Sequence, residues 1–348
     1  MPKTSQRSTI ADVARHAGVS KATVSRFLNH RDTMLTPAIA KRVEAAVMEL
    51  GYKPSPMAQA LKRGRSRLIG LVVADITNPY SVAVLSGAEL ACREAGYLVM
   101  LFNLGNESQR ESAGIQALSS YKVEGFILNT MGHDAGAVLE NAGQGRPVVL
   151  VDRMHQGLDV DFVSLDNPHA IGLCMDHLLS EGYRDFLLVS EPLGQVSSRI
   201  QRAKAYAAFV QAHGEALRGD SFECHAAGEA ALMHRLKALR DNARGTPALI
   251  SNNAVVTLRL IAAIAALGWR LGEDVGLIGI DDAPWAPFVG PGVSAVSQPT
   301  EQIGRLAARC LLQRLDGLAV PARTILLPGT LAARGSTRPR ASRVVARA

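Results

Sequence analysis

Two hydrophobic rhythms divide this chain. Over the first 50 residues apolar positions recur at helical spacing. Thr9, with Asp12 three residues on, caps a segment whose Ile10, Val13 and Ala14 lie on one side. Gly18 breaks it, Val19 can pack beneath the turn, and Ser20 caps the next segment, VSKATVSRFLN. Thr36-Pro37 supplies an N-cap and first-turn proline, Ile39, Val43, Ala46 and Leu50 recur at helical spacing, and Gly51 ends that helix. Three helices with a tight glycine turn between the first two predict a helix-turn-helix.

From Leu68 the rhythm changes to continuous apolar runs: LIGLVVAD, YLVMLFN, VEGFILNT, PVVLVD, then DFLLVS, ALISNN and GLIGID. Helix-compatible stretches such as 79–95 and 107–121 separate them. Such runs predict parallel strands covered on both faces, in two doubly wound lobes in series. Ligands of these sheets bind beyond the carboxyl ends of the strands. Asp75, Asn103, Asp152, Ser190, Asn252 and Asp281 gather at those ends, which predicts a pocket between the lobes. Between the two rhythms, YKPSPMAQALKRGRSR reads as a linker with one conditional helix.

The expected organisation is therefore a head over 1–51, a hinge over 52–67 and a core over 68–337. Lobe 1 is expected at about 68–163 and 295–323, lobe 2 at about 164–294 and 324–337, with a disordered basic tail over 338–348.

Charge sharpens this picture. Residues 1–67 hold 13 Lys/Arg against 4 Asp/Glu, and the last 15 residues hold five Arg and no acid. The net charge is +7, so the body between carries −7. A basic head on an acidic body points to a polyanion partner for the head alone. No apolar run approaches the roughly 20 residues of a membrane span. The N-terminus lacks a secretory pattern, and four widely spaced cysteines suit the reduced thiols of a cytoplasmic protein.

No G-x-S-x-G, H-E-x-x-H, P-loop or G-x-G-x-x-G pattern is present, so no catalytic residue, cofactor or enzyme activity is expected. His169, Cys174, Asp176 and His177 share one helix without a third ligand on one side, and read as surface or packing rather than metal ligands.

These stretches together resemble the LacI/GalR family of bacterial transcription repressors. TIADVARHAGVSKATVSRFLN is similar to its head motif, ELGYKPSPMAQALK to its hinge, and LIGLVVADITNPYSVAVLSGAE to the opening of its sugar-binding core. PVVLVDR, the R-x-x-A-Y of Arg202 to Tyr206, and GLIGIDD follow in the expected order, so the resemblance spans about residues 8 to 337. It implies an N-terminal all-α helix-turn-helix head plus an α/β periplasmic-binding-protein-like core of two doubly wound parallel-sheet lobes.

In such a head the second helix enters the major groove. Lys21, Ala22 and Arg26 are then the base-reading candidates, since Lys and Arg suit guanine and an Ala methyl suits thymine. Ser20, Thr23, Ser25 and Asn29 suit phosphates. By resemblance, the hinges of a homodimer enter the minor groove of a near-palindromic, double-stranded operator, with Leu61 as an apolar wedge beside Ala58 and Gln59.

The resemblance also implies an effector site of Asn78, Tyr80, Ser81, Asp152, Arg153, Arg202, Asn252, Asp281 and Gln298. Ser81 stands where many relatives carry a second aromatic residue, and Asn253 where the family usually has Asp. With Arg153 and Arg202 in place, these departures favour an oxygen-rich anion, such as gluconate or 2-ketogluconate. The expected protein is a cytoplasmic repressor of a carbohydrate or sugar-acid catabolic operon. A transport binding protein would need an export signal and no head, and an α/β enzyme an acid-base or nucleophile set. The tail, which lacks leucine heptads, is expected to add weak, salt-sensitive DNA affinity.

Overall fold

The structure, a computed structural model, describes the chain apart from residues 1–7, 30–34, 54–64, 108, 131–135, 137–139, 141–144, 156, 225–227 and 339–348. It divides into two compact units, Met1–Ser66 and Arg67–Ala348.

The small unit holds α1 (Ile10–Ala17), α2 (Lys21–Asn29) and α3 (Pro37–Glu49). Thr9 Oγ1 accepts from the Asp12 N–H at 3.3 Å, and Asp12 Oδ2 accepts from the Thr9 N–H at 3.0 Å, a reciprocal cap that starts α1. Gly18 turns the chain at φ 62°, the left-handed region that favours glycine. The Arg42 guanidinium donates to the carbonyls of Ala17 at 2.5 Å and Gly18 at 3.1 Å, clipping α3 to that turn. Val13, Ala17, Val24, Phe27, Val43 and Ala46 bury the shared core.

The large unit contains β1 (Leu68–Val73), α4 (Pro79–Glu94), β2 (Leu98–Asn103), α5 (Arg110–Ser120), β3 (Gly125–Asn129), β4 (Val148–Val151) and β5 (Asp161–Leu165). It continues through α6 (Asn167–Ser180), β6 (Asp185–Ser190), α7 (Ser197–Ala212), β7 (Arg218–Glu223), α8 (Glu229–Asn242), β8 (Ala248–Ser251) and α9 (Ala254–Ala266). β9 (Gly276–Ile280), β10 (Ser294–Ser297), α10 (Thr300–Leu315), β11 (Thr324–Leu327) and β12 (Thr330–Ala332) complete it.

Two six-stranded sheets result, ordered β11-β5-β4-β3-β1-β2 and β12-β10-β9-β8-β6-β7. Among the described residues every strand pairing is parallel except β10 with β12. Every residue of β3, β4, β8 and β9 is buried, as continuous apolar strands covered on both faces require.

The chain crosses between lobes three times, and each crossing differs from the sequence expectation. The whole of β5, through Leu165, belongs to the first sheet, so lobe 1 does not end at 163. β10 pairs with β9, so the second crossing follows Ser297 rather than preceding residue 295. β11 pairs with β5, so the return to lobe 2 follows Leu327 rather than residue 323. Short strands of similar composition carry no mark of which sheet edge they join. Pairing partners decide it.

Two features fix the first lobe around these crossings. A Cβ on Gly87 would stand 2.1 Å from the Glu301 carbonyl oxygen, and one on Gly304 2.1 Å from that of Val84. Only paired glycines allow α4 and α10 to approach so closely. Asp161, at the start of β5, accepts from Arg314 Nη2 at 2.8 Å and Arg323 Nη2 at 2.7 Å. Burial raises its pKa, but the hydrogen bonds from these two guanidiniums outweigh it and hold the carboxyl well below the usual range.

Candidate functional site

In the small unit, Val24 and Phe27 turn the apolar side of α2 into the core, leaving Lys21, Ala22 and Arg26 exposed and Thr23 and Ser25 half-buried. Ser20 Oγ accepts from the Thr23 N–H at 3.1 Å and lies 2.9 Å from Thr23 Oγ1, so this hydroxyl pair already serves the start of α2. Asn29 is the last residue of α2. Ala58, Gln59 and Leu61 lie outside the described residues, as does nearly all of the expected tail.

In the large unit, a cavity of about 120 Å³ opens between the two lobes, beyond the carboxyl ends of the strands. Asn78, Tyr80, Ser81, Asp152, Arg153, Arg202, Asp281 and Gln298 all line it. Asn78 caps α4 by accepting from the Tyr80 N–H at 3.0 Å, which places Tyr80 and Ser81 in the first turn, facing the cavity. Asp152 and Arg153 follow β4, and Asp281 follows β9. Both aspartates hold positive φ, 63° and 78°, which is strained for a residue with a Cβ and characteristic of ligand sites.

Asn252 is the exception. Asn253 lines the cavity in its place, while the Asn252 side chain is buried and its backbone carbonyl accepts from Arg202 Nη1 at 2.5 Å.

Contacts cross the cleft in both directions. Ser198 Oγ donates to Asp152 Oδ2 at 3.3 Å, and the Met154 N–H donates to Ser197 Oγ at 2.8 Å. Arg202, 4% exposed, donates from Nε to Asn167 Oδ1 at 2.7 Å, and among the described residues its nearest carboxylate approach is Nη2 to Asp152 Oδ1 at 4.0 Å. Its two short bonds therefore go to neutral oxygens. Asp281 accepts from Gln298 Nε2 at 2.5 Å and from the Ala254 N–H at 3.2 Å. Burial nevertheless pushes its carboxyl above the usual carboxylate range, against the pull of Arg202 and those hydrogen bonds. Burial, with Asp152 and Asp281 nearby, also keeps the Tyr80 phenol protonated. Tyr80 Oη, Gln298 Oε1 and both side-chain polar atoms of Asn252 are buried without a hydrogen-bond partner among the described residues. Buried polar groups of this kind are ordinarily satisfied.

Lining residues beyond those expected from the sequence include Asn129, Glu191, Ser198 and Arg199. Arg199 lies one helical turn before Arg202 on α7, and Asn129 and Glu191 stand at the ends of β3 and β6. Helix spacing and strand-end position were the available signals. Glu191 also supplies the negative charge that Asn253, standing where the family usually has Asp, does not. Its Oε2 accepts from Asn253 Nδ2 at 2.7 Å and from Arg199 Nη2 at 2.5 Å, so a negative charge is present beside Asn253 after all. Among the described residues, three guanidiniums (Arg153, Arg199, Arg202) and four carboxyl groups (Asp75, Asp152, Glu191, Asp281) line the cavity. Elsewhere, His177 Nε2 lies 2.7 Å from Thr337 Oγ1, and Cys174 is buried in the second lobe's core.

Among the described residues no helix is long and apolar enough to cross a membrane. Residues 9–55 match the family of bacterial regulatory proteins, lacI family, and residues 175–337 match the periplasmic binding protein-like domain. The chain is 47% identical to the HTH-type transcriptional regulator PtxS of Pseudomonas plecoglossicida, over 95% of this chain and 96% of that protein. It is 35% identical to the HTH-type transcriptional regulator KdgR of Bacillus subtilis strain 168, over 90% of this chain and 93% of that protein. Its fold is similar to that of the Lac repressor dimer bound to operator and the anti-inducer ONPF, with a TM-score of 0.81 at 24% identity, covering 95% and 99% of the two chains. Head, core and relatives agree, and the chain belongs to the lacI family of bacterial regulatory proteins.

Proposed function

We propose that this protein is a cytoplasmic, dimeric transcriptional repressor that acts by binding alone. It grips a near-palindromic operator through α2 and loses that grip when a sugar acid fills the interlobe cavity. Two-fold protein symmetry demands a two-fold operator. The 13 Lys/Arg against 4 Asp/Glu in residues 1–67 and the exposed Lys21, Ala22 and Arg26 support the DNA half of this reading. Altering Lys21 and Ala22 should change which operator is preferred. Arg26→Ala should weaken specific binding about tenfold, both read by gel shift.

The observation that carries the ligand half is Arg202, a buried cation whose short bonds go to two neutral oxygens. A ligand carboxylate would complete it with a charge-assisted pair. Tyr80, Gln298, Asp152 and Asp281 offer the donors and acceptors that sugar hydroxyls need. Titration calorimetry with gluconate, 2-ketogluconate, ribose and glucose tests this. Acid binding is expected, and heat from the neutral sugars alone would overturn the sugar-acid assignment.

A further inference from the structure

The geometry points to Glu191 as the residue that limits the cavity to singly charged ligands and turns away their phosphate esters. This builds on the sugar-acid reading and adds a charge limit to it. Arg199 and Arg202 stand three residues apart on α7 and both line the cavity. Two neighbouring guanidiniums are the kind of pair that clamps a phosphate dianion. Glu191 removes that capacity.

Its Oε2 is shared by Arg199 Nη2 at 2.5 Å and Asn253 Nδ2 at 2.7 Å, while the Pro192 carbonyl accepts from Arg199 Nη1 at 2.8 Å. Arg199 is 8% exposed, so displacing the carboxylate would leave a buried guanidinium without its counter-charge. Asn253 cannot yield either. It caps α9, its Oδ1 accepting from the Val256 N–H at 2.9 Å. Glu191, in the loop after β6, is thereby held by Arg199 of α7 and by Asn253 of the loop after β8.

With Arg199 spoken for and Arg153 Nε 3.4 Å from Asp152 Oδ2, Arg202 remains to receive one ligand carboxylate. A phosphate ester adds further negative charge beside Glu191 and Asp152 in a site of low dielectric, where like charges repel strongly.

Calorimetry on the full chain with gluconate and 6-phosphogluconate reads the effect. The ester should bind wild type roughly 100-fold more weakly than the acid. Glu191→Gln keeps the bulk and an acceptor but frees the Arg199 charge, so the gap should narrow by roughly tenfold or more. Glu191→Ala, read the same way, guards against misfolding of one variant. Equal binding of ester and acid to wild type, or an unchanged gap in both variants, would overturn the assignment to Glu191. Binding of ribose with neither acid is a separate outcome, which overturns the sugar-acid reading beneath it.

Discussion

Arg202→Gln should all but abolish sugar-acid binding. Removing one member of a buried, hydrogen-bonded charge pair costs about 2–5 kcal/mol, or roughly 30-fold to several thousandfold in affinity. The change acts twice. It deletes the charge that a ligand carboxylate would meet, and it takes donors from Asn167 Oδ1 and the Asn252 carbonyl, both inside the second lobe. Arg202→Lys separates these contributions, because an ammonium keeps the charge but cannot span both acceptors as a planar fork does. Calorimetry should show Lys intermediate between wild type and Gln, with cooperative thermal unfolding confirming that each variant is folded. A Gln variant that binds the acid as tightly as wild type would remove Arg202 from the site.

Much of this site could be read in the sequence, because strand ends announce themselves. GLIGID and PVVLVD are apolar runs that finish on an aspartate, and both aspartates line the cavity at positive φ. The same logic failed by one residue at ALISNN, where two asparagines follow the strand and Asn253 rather than Asn252 reaches the cavity. Neighbouring side chains near a strand end point different ways, and composition does not say which way the first one turns. Glu191 and Arg199 were harder, since their importance lies in each other and in Asn253 across two loops.

The fold shows the same division. Continuously buried strands such as β3 and β4 were plain. β7, RGDSFE, is a polar, mostly exposed edge strand with no hydrophobic signature. The three crossings depend on pairings of distant segments, β5 with β11 and β10 with β9 and β12, and local pattern carries no information on those. In the head, Ser20 and the glycine turn were legible, whereas the clip from Arg42 to the Ala17 and Gly18 carbonyls spans the sequence from α3 back to the turn.

The second large effect is on the operator. If the cavity and α2 belong to one regulated protein, saturating sugar acid should weaken operator binding roughly tenfold or more, within the about 1–3 kcal/mol of typical coupling between sites. The reciprocal holds as well: bound operator should weaken the acid by the same factor. Fluorescence anisotropy of the full-length protein on duplexes from upstream of its own and neighbouring genes measures this, at fixed salt, with and without gluconate or 2-ketogluconate. The predicted result is a sequence-specific complex that the acid loosens. Equal binding to operator and random duplex, or an operator affinity that the acid leaves unchanged, would contradict a sugar-acid-controlled repressor.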